Sequence, residues 1–235
     1  MKNLLYKEFR LSVHPLTYAI MALFALVCLS PGIPSFVPLV YFGAVYTFLF
    51  IGMNKTTTTN DLFYTCNLPL RRQDVVKARV LSISVLQLVE ILIVFPMLAI
   101  NKFLIIEGAR SDTAAYAQLM KGVVSLGITH GLYLFAAYLI CFSVFDLIYL
   151  PWFYKTGKSI IGNMLTGILV TAAVGSVLTI VPYFIKGLPE LLEIGNPNAN
   201  YLLQVGCLLF GVGVWIGSRF LVNHLSTKNL VKLDF

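Results

Sequence analysis

Charge is what this chain has least of. Only 11% of its 235 residues are Asp, Glu, Lys or Arg, and four stretches carry none: Leu11–Asn54, Gly122–Phe145, Ser159–Ile185 and Ile194–Ser218. Soluble domains carry about 25% charged residues, so a water-exposed globule is excluded. Chemistry-bearing motifs are equally scarce. There are three histidines, and no H-E-x-x-H, G-x-S-x-G or cluster of His with carboxylates. His14 and His224 fall near the edges of apolar runs and read as interfacial. The four cysteines lack C-x-x-C spacing; Cys28, Cys141 and Cys207 sit in apolar runs, Cys66 in a polar stretch. That pattern fits neither a disulfide framework nor a zinc site. Gly157-Lys158-Ser159 resembles the end of a P-loop, but the required upstream glycine is Trp152 and no strand precedes it. No internal repeat is visible. The opening lacks a compact apolar core followed by a small-residue cleavage site, so no removable signal peptide is expected.

What is present is apolar surface in continuous runs. Hydrophobic residues make up 58% of the chain, and mean hydropathy is +0.85. A membrane-crossing helix needs about 20 apolar residues. A β-barrel would alternate apolar and polar residues, and runs such as ILVTAAVGSVLTIVPYFI do not. The expected fold is an all-α membrane protein with six transmembrane helices over residues 15–222. The spans are expected at about 15–30, 35–53, 75–104, 121–150, 159–185 and 201–222. Pro31-Gly32-Ile33-Pro34 separates the first two, because one straight helix cannot continue through it. Residues 1–14 place Leu5, Phe9 and Val13 on one helical stripe, away from Lys2, Lys7, Glu8 and Arg10. That predicts an interfacial helix. Residues 223–235 are expected as a tail.

Basic residues set the orientation. With the N-terminus in the cytoplasm, 13 of the 17 Lys and Arg lie on the inner side. Only Lys102, Arg110, Lys121 and Lys186 lie outside. Both termini are therefore expected in the cytoplasm. The net charge of +7 is mostly this topogenic bias, and no soluble basic face is present to suggest a nucleic-acid partner.

Two places stand out for function. The first is Asn60–Arg79, the longest polar stretch between apolar runs. Thr59, Asn60 and Asp61 can cap a short helix with Leu62, Phe63, Tyr64 and Cys66 on its apolar face, stopped by Leu68-Pro69. Arg71 and Arg72 follow at the membrane surface. A purely topogenic loop explains the arginines but not the aromatic pair. The second is Glu90, in the middle of the third span, with Gln87 one turn earlier and His130 on the next span as a possible partner. An ionisable group there should face the bundle interior or a water-filled path; an interhelical hydrogen bond is the structural alternative. Asp146 reads as an interfacial charge paired with a nearby Lys or Arg. Between spans five and six, Gly187–Asn200 predicts a short helix opening at Pro189 and capping the bundle.

Asn67-Leu68-Pro69-Leu70-Arg71-Arg72 followed by Val75-Val76-Lys77 resembles the bacterial ABC type-2 permeases, the membrane subunits of ATP-binding-cassette exporters. Leu4-Leu5-x-Lys7-Glu8-Phe9-Arg10 resembles their elbow helix, and the basic tail ending in Lys232-Leu233-Asp234-Phe235 is similar too. Within that family the layout is most like the phenol-soluble-modulin exporter permeases. The resemblance implies a permease in the bacterial plasma membrane, exporting a substrate such as an amphipathic or antimicrobial peptide. It implies a coupling helix at residues 60–67, with Asp61, Leu62, Phe63, Tyr64, Asn67, Arg71 and Arg72 meeting a separate cytoplasmic ATPase. ATP and magnesium would sit on that partner, and this chain would carry no cofactor and no catalytic site. A second permease subunit, identical or not, would complete the path. Three other readings stay open: an ion-coupled secondary transporter using Glu90, an intramembrane enzyme, and an accessory subunit with no path of its own.

Overall fold

The computed structural model describes residues 2–13, 15–29, 65–66, 70–109, 131–156, 161–192 and 197–232. Every regular element among them is helical. The second expected span (35–53), residues 121–130 of the fourth, Gly157-Lys158-Ser159 and His130 lie outside the described residues. So does the expected coupling helix 60–67, apart from Thr65 and Cys66.

The chain begins with α1 (Lys2–Lys7), which runs into a π-helical turn, Glu8–Ser12. The Val13 amide donates to the Glu8 carbonyl at 3.0 Å, five residues back. This extra residue resets the buried face. Leu4, Glu8 and Val13 point inward, while Leu5 and Phe9 are only half-buried. The expected stripe is thus shifted rather than lost: Val13 and the half-buried Phe9 still meet the core, but Leu4 and Glu8 are the buried residues before them, because a π turn has more residues per turn than the 3.6-residue spacing assumes. Next comes α2 (Pro15–Val27), about 20 Å long by helical rise.

Four further helices dominate. They are α3 (Arg72–Ala109), α4 (Leu132–Thr156), α5 (Ile161–Phe184) and α7 (Tyr201–Val231), with the short α6 (Leu188–Leu192) before the last. Among the described residues four helical segments are long and apolar enough to cross a membrane: Arg72–Asn101, Leu132–Thr156, Gly162–Pro182 and Tyr201–Val231. The chain is an all-helical protein of membrane character.

Several boundaries differ from expectation, and α3 runs from Arg72 to Ala109, beyond both ends of the expected 75–104. Helix α4 continues through Pro151 to Thr156, past the predicted end at Leu150. Phe153 and Tyr154 remain buried beyond the proline, so packing outweighs the lost hydrogen bond. The tail expected from residue 223 is helix as far as Val231, with Ser226 and Leu230 buried.

Helix α4 is the hub, two-thirds buried along its most apolar window, against 17% for α5 and 22% for α7. One core cluster joins Val75, Val76, Ile83, Tyr149, Tyr154 and Leu230. The other joins Cys28, Val94, Leu98, Leu134, Tyr138 and Phe142. Where α7 crosses α4, Gly211 leaves no room for a side chain. A Cβ there would lie 2.7 Å from the Ala136 Cα and 2.9 Å from its Cβ. Helices in lipid gain close dispersion contact through such small residues.

Candidate functional site

The described polar groups gather in three layers along the bundle. At one end the Arg79 Nε and Nη2 donate to the two Glu8 carboxylate oxygens at 3.0 and 3.3 Å, both residues about 1% exposed. The buried Tyr154 ring lies alongside. Lys7 donates to the Thr65 hydroxyl. The Arg72 Nη1 donates to the Leu230 and Val231 carbonyls at 3.1 and 3.2 Å. It caps the last turn of α7, where carbonyls lack helical partners. The N-terminal helix, the polar segment's Thr65, the start of α3 and the end of α7 therefore meet at one end.

Deeper in the bundle lies a network across three helices. Asp146 of α4 is fully buried, and its Oδ2 accepts from the Arg219 Nη1 at 2.6 Å and from the Gln87 Nε2 at 2.8 Å. The Trp215 indole donates to the Gln87 Oε1 at 3.1 Å, and the Arg219 guanidinium lies 5.2 Å from the centre of that indole. The expectation of an interfacial Asp146 is corrected: it faces inward, because Arg219 and Gln87 reach it from helices on either side. One turn from Gln87, Glu90 is 2% exposed, and neither carboxylate oxygen has a hydrogen-bond partner among the described residues. It lies near Cys28 and Tyr138. Gln87 and Glu90 both face the interior, as their shared helical face predicts. The expected partner His130 lies outside the described residues.

The third layer lies at the opposite end. Gln204 of α7 is fully buried; its Nε2 donates to the Leu191 carbonyl at 3.1 Å and its Oε1 accepts from the Leu132 amide at 3.4 Å. The predicted short helix is present as α6, and its last residue, Leu192, is buried. Gly187 supplies the turn into it with φ +83°, a conformation that other L-residues rarely adopt. Beside this layer an apolar groove of about 490 Å³ runs between Tyr133, Ile140, Leu178, Leu202 and Phe210.

Of the residues singled out for a partner ATPase, Asp61, Leu62, Phe63, Tyr64 and Asn67 lie outside the described residues. Arg71 is exposed and Arg72 is bound to α7. Asp146 is paired with an arginine as expected, but its burial and the identity of Arg219 escaped sequence reading, because each residue sits near the end of its apolar run and passes for an edge charge. Their opposite signs at matching depth on parallel helices, each about 15 to 19 residues from its helix start, are the signal that could have joined them. No group of three or more His, Cys, Asp or Glu suited to a metal occurs among the described residues. Comparison with known protein families, with curated proteins and with solved structures found no match.

Proposed function

We propose that this chain is a six-span permease subunit of an ATP-binding-cassette exporter, with both termini in the cytoplasm. It would work with a second permease subunit and a separate ATPase, and amphipathic peptides are the substrate class the resemblance suggests. One observation carries the reading. Thr65 of the polar segment is hydrogen-bonded to the N-terminal helix, which is ion-paired to α3, which caps α7. A partner that displaces the polar segment would thus act on both long helices at once. Ligand-driven change of this kind needs differential binding to two states, and a nucleotide-dependent ATPase supplies it. Phe63→Ala with Tyr64→Ala tests the reading. Aromatic anchors commonly contribute about 2 kcal/mol or more each to an interface. Affinity capture should lose the ATPase while the permease stays inserted; undiminished recovery of the complex would sink the proposal.

A second reading is favoured by one specific feature. The buried Glu90 carboxylate, without a hydrogen-bond partner among the described residues, suits a proton or cation site in an ion-coupled transporter. An ionised carboxylate at such depth is costly unless something compensates it. Glu90→Gln separates the readings. In an ATP-driven permease the variant should assemble and transport. In an ion-coupled carrier it should assemble and lose transport in a flux assay with reconstituted vesicles.

A further inference from the structure

Beside the polar end of the bundle, α3 and α7 enclose a pocket of about 320 Å³ that no role above uses. Gln73 and Lys77 line it from α3; Asn223, His224, Thr227 and Lys228 line it from α7. The α7 residues are spaced as one helical stripe. The lining contains two lysines, a histidine and no carboxylate. Asp74, the carboxylate nearest in sequence, does not contribute to it. Lys77, His224 and Lys228 are exposed and make no ion pair among the described residues. Among the described residues the pocket is therefore a cationic site with no paired carboxylate, with amide and hydroxyl groups from Gln73, Asn223 and Thr227 around it. The Asn223 Oδ1 is buried and has no hydrogen-bond partner among the described residues. It suits a ligand that also brings a hydroxyl donor.

Depth identifies the class of ligand. Lys77 lies about 8 Å along α3 from Arg72, the residue that caps the end of α7. That is interfacial depth for a helix whose outward-facing residues over the next turns, Leu81, Val85 and Leu88, are apolar. One turn deeper on each helix, Leu81 and Phe220 are 42% and 73% exposed. Beyond Phe220, a Cβ at Gly217 would meet nothing within 4 Å. A polar head site thus opens onto an apolar seam.

We infer that this pocket binds the headgroup of an anionic glycerophospholipid. Lys77, His224 and Lys228 hold its phosphate, Asn223 takes a headgroup hydroxyl, and its acyl chains run down the seam past Leu81 and Phe220. Basic pockets between membrane helices bind acidic headgroups in this way. A free phosphate shares the cationic chemistry but gains nothing from the seam. The inference rests on the helices crossing a membrane and is independent of the export reading.

The test uses the full chain in nanodiscs of phosphatidylcholine with a minor fraction of phosphatidylglycerol, with lipid retention read by native mass spectrometry. Phosphatidylglycerol should be retained selectively over phosphatidylcholine. Lys77→Gln with Lys228→Gln should lower that selectivity about thirtyfold, taking each lysine at its usual weight near a charged membrane surface. Thr227→Phe, which fills the pocket and keeps every charge, should lower it too. Lys155→Gln, an exposed lysine elsewhere on the bundle, should not. All four positions are exposed or half-buried, so folding should survive, and a single symmetrical size-exclusion peak checks it. Equal loss with Lys155→Gln would mean diffuse attraction and overturn the site. Full competition by soluble glycerol phosphate would reassign it to free phosphate. Unchanged retention in the pocket variants, even with loss of a co-purifying protein, would overturn the lipid assignment.

Discussion

Asp146 and Arg219 form one of two buried ion pairs among the described residues, the other being Glu8 and Arg79. Asp146 and Arg219 share one 2.6 Å contact, with the Arg219 side chain 10% exposed and the Asp146 side chain not at all. Removing one partner leaves the other buried without compensation, which typically costs about 3–5 kcal/mol. Asp146→Asn or Arg219→Gln should therefore lower the melting temperature in detergent sharply. Asp146→Leu combined with Arg219→Met should recover most of the loss, because apolar pairs of similar volume often replace buried ion pairs without penalty. A recovered melting temperature with lost transport would assign the pair to function; recovery of both would make it a packing device. Failure of the double variant to regain stability would mean that Gln87 and Trp215, which share the network, carry more of it than the ion pair.

Among the elements, the α4–α7 contact has a sign that can be checked. Gly211 sits where an added Cβ would meet the Ala136 backbone, whereas a Cβ at Gly213, two residues on, would meet nothing within 4 Å. Gly211→Ala should destabilise by about 1–3 kcal/mol, since the obstacle is backbone and the helices must part. Gly213→Ala should be neutral or stabilise by about 0.5–1 kcal/mol, since alanine gives up less backbone freedom in a helix. Thermal melts of the two variants test this, and equal effects would refute the close crossing. The π turn at Glu8–Ser12 is the other element with a consequence. It aims Glu8 at Arg79 and Val13 at the core, so the N-terminal helix is bound to the bundle by an ion pair as well as by apolar contact.

For the whole molecule, hydrogen bonds between distant helices define the two ends. Arg72 reaches Leu230, and Asn229 reaches the Pro151 carbonyl, at one end; Gln204 and Leu191 meet at the other. Single cysteines placed in a background lacking the four native ones should report this. Positions 155 and 232 should react with a membrane-impermeant thiol reagent from one side of the membrane, and positions 186 and 198 from the other. Labelling of positions 155 and 186 from the same side would contradict the arrangement.

Helicity and membrane character were legible in the sequence because both depend on local composition. Charge-free runs such as Ser159–Ile185 exceed what a span needs whatever they pack against. The inward direction of Gln87 and Glu90 was also legible, since the cost of turning them to lipid is local. So was α6, opened by proline and preceded by a glycine turn. Three things were decided only by tertiary structure. Helix α4 passes Pro151 because its far side still finds a core. Helix α7 passes Val222 because Arg72 caps its last carbonyls. Glu8 and Asp146 became interior residues because Arg79 and Arg219 come from helices 71 and 73 positions away. A hydropathy run assigns an apolar segment to the membrane, but a buried charge persists only where its partner arrives, and that partner is set by how the helices pack.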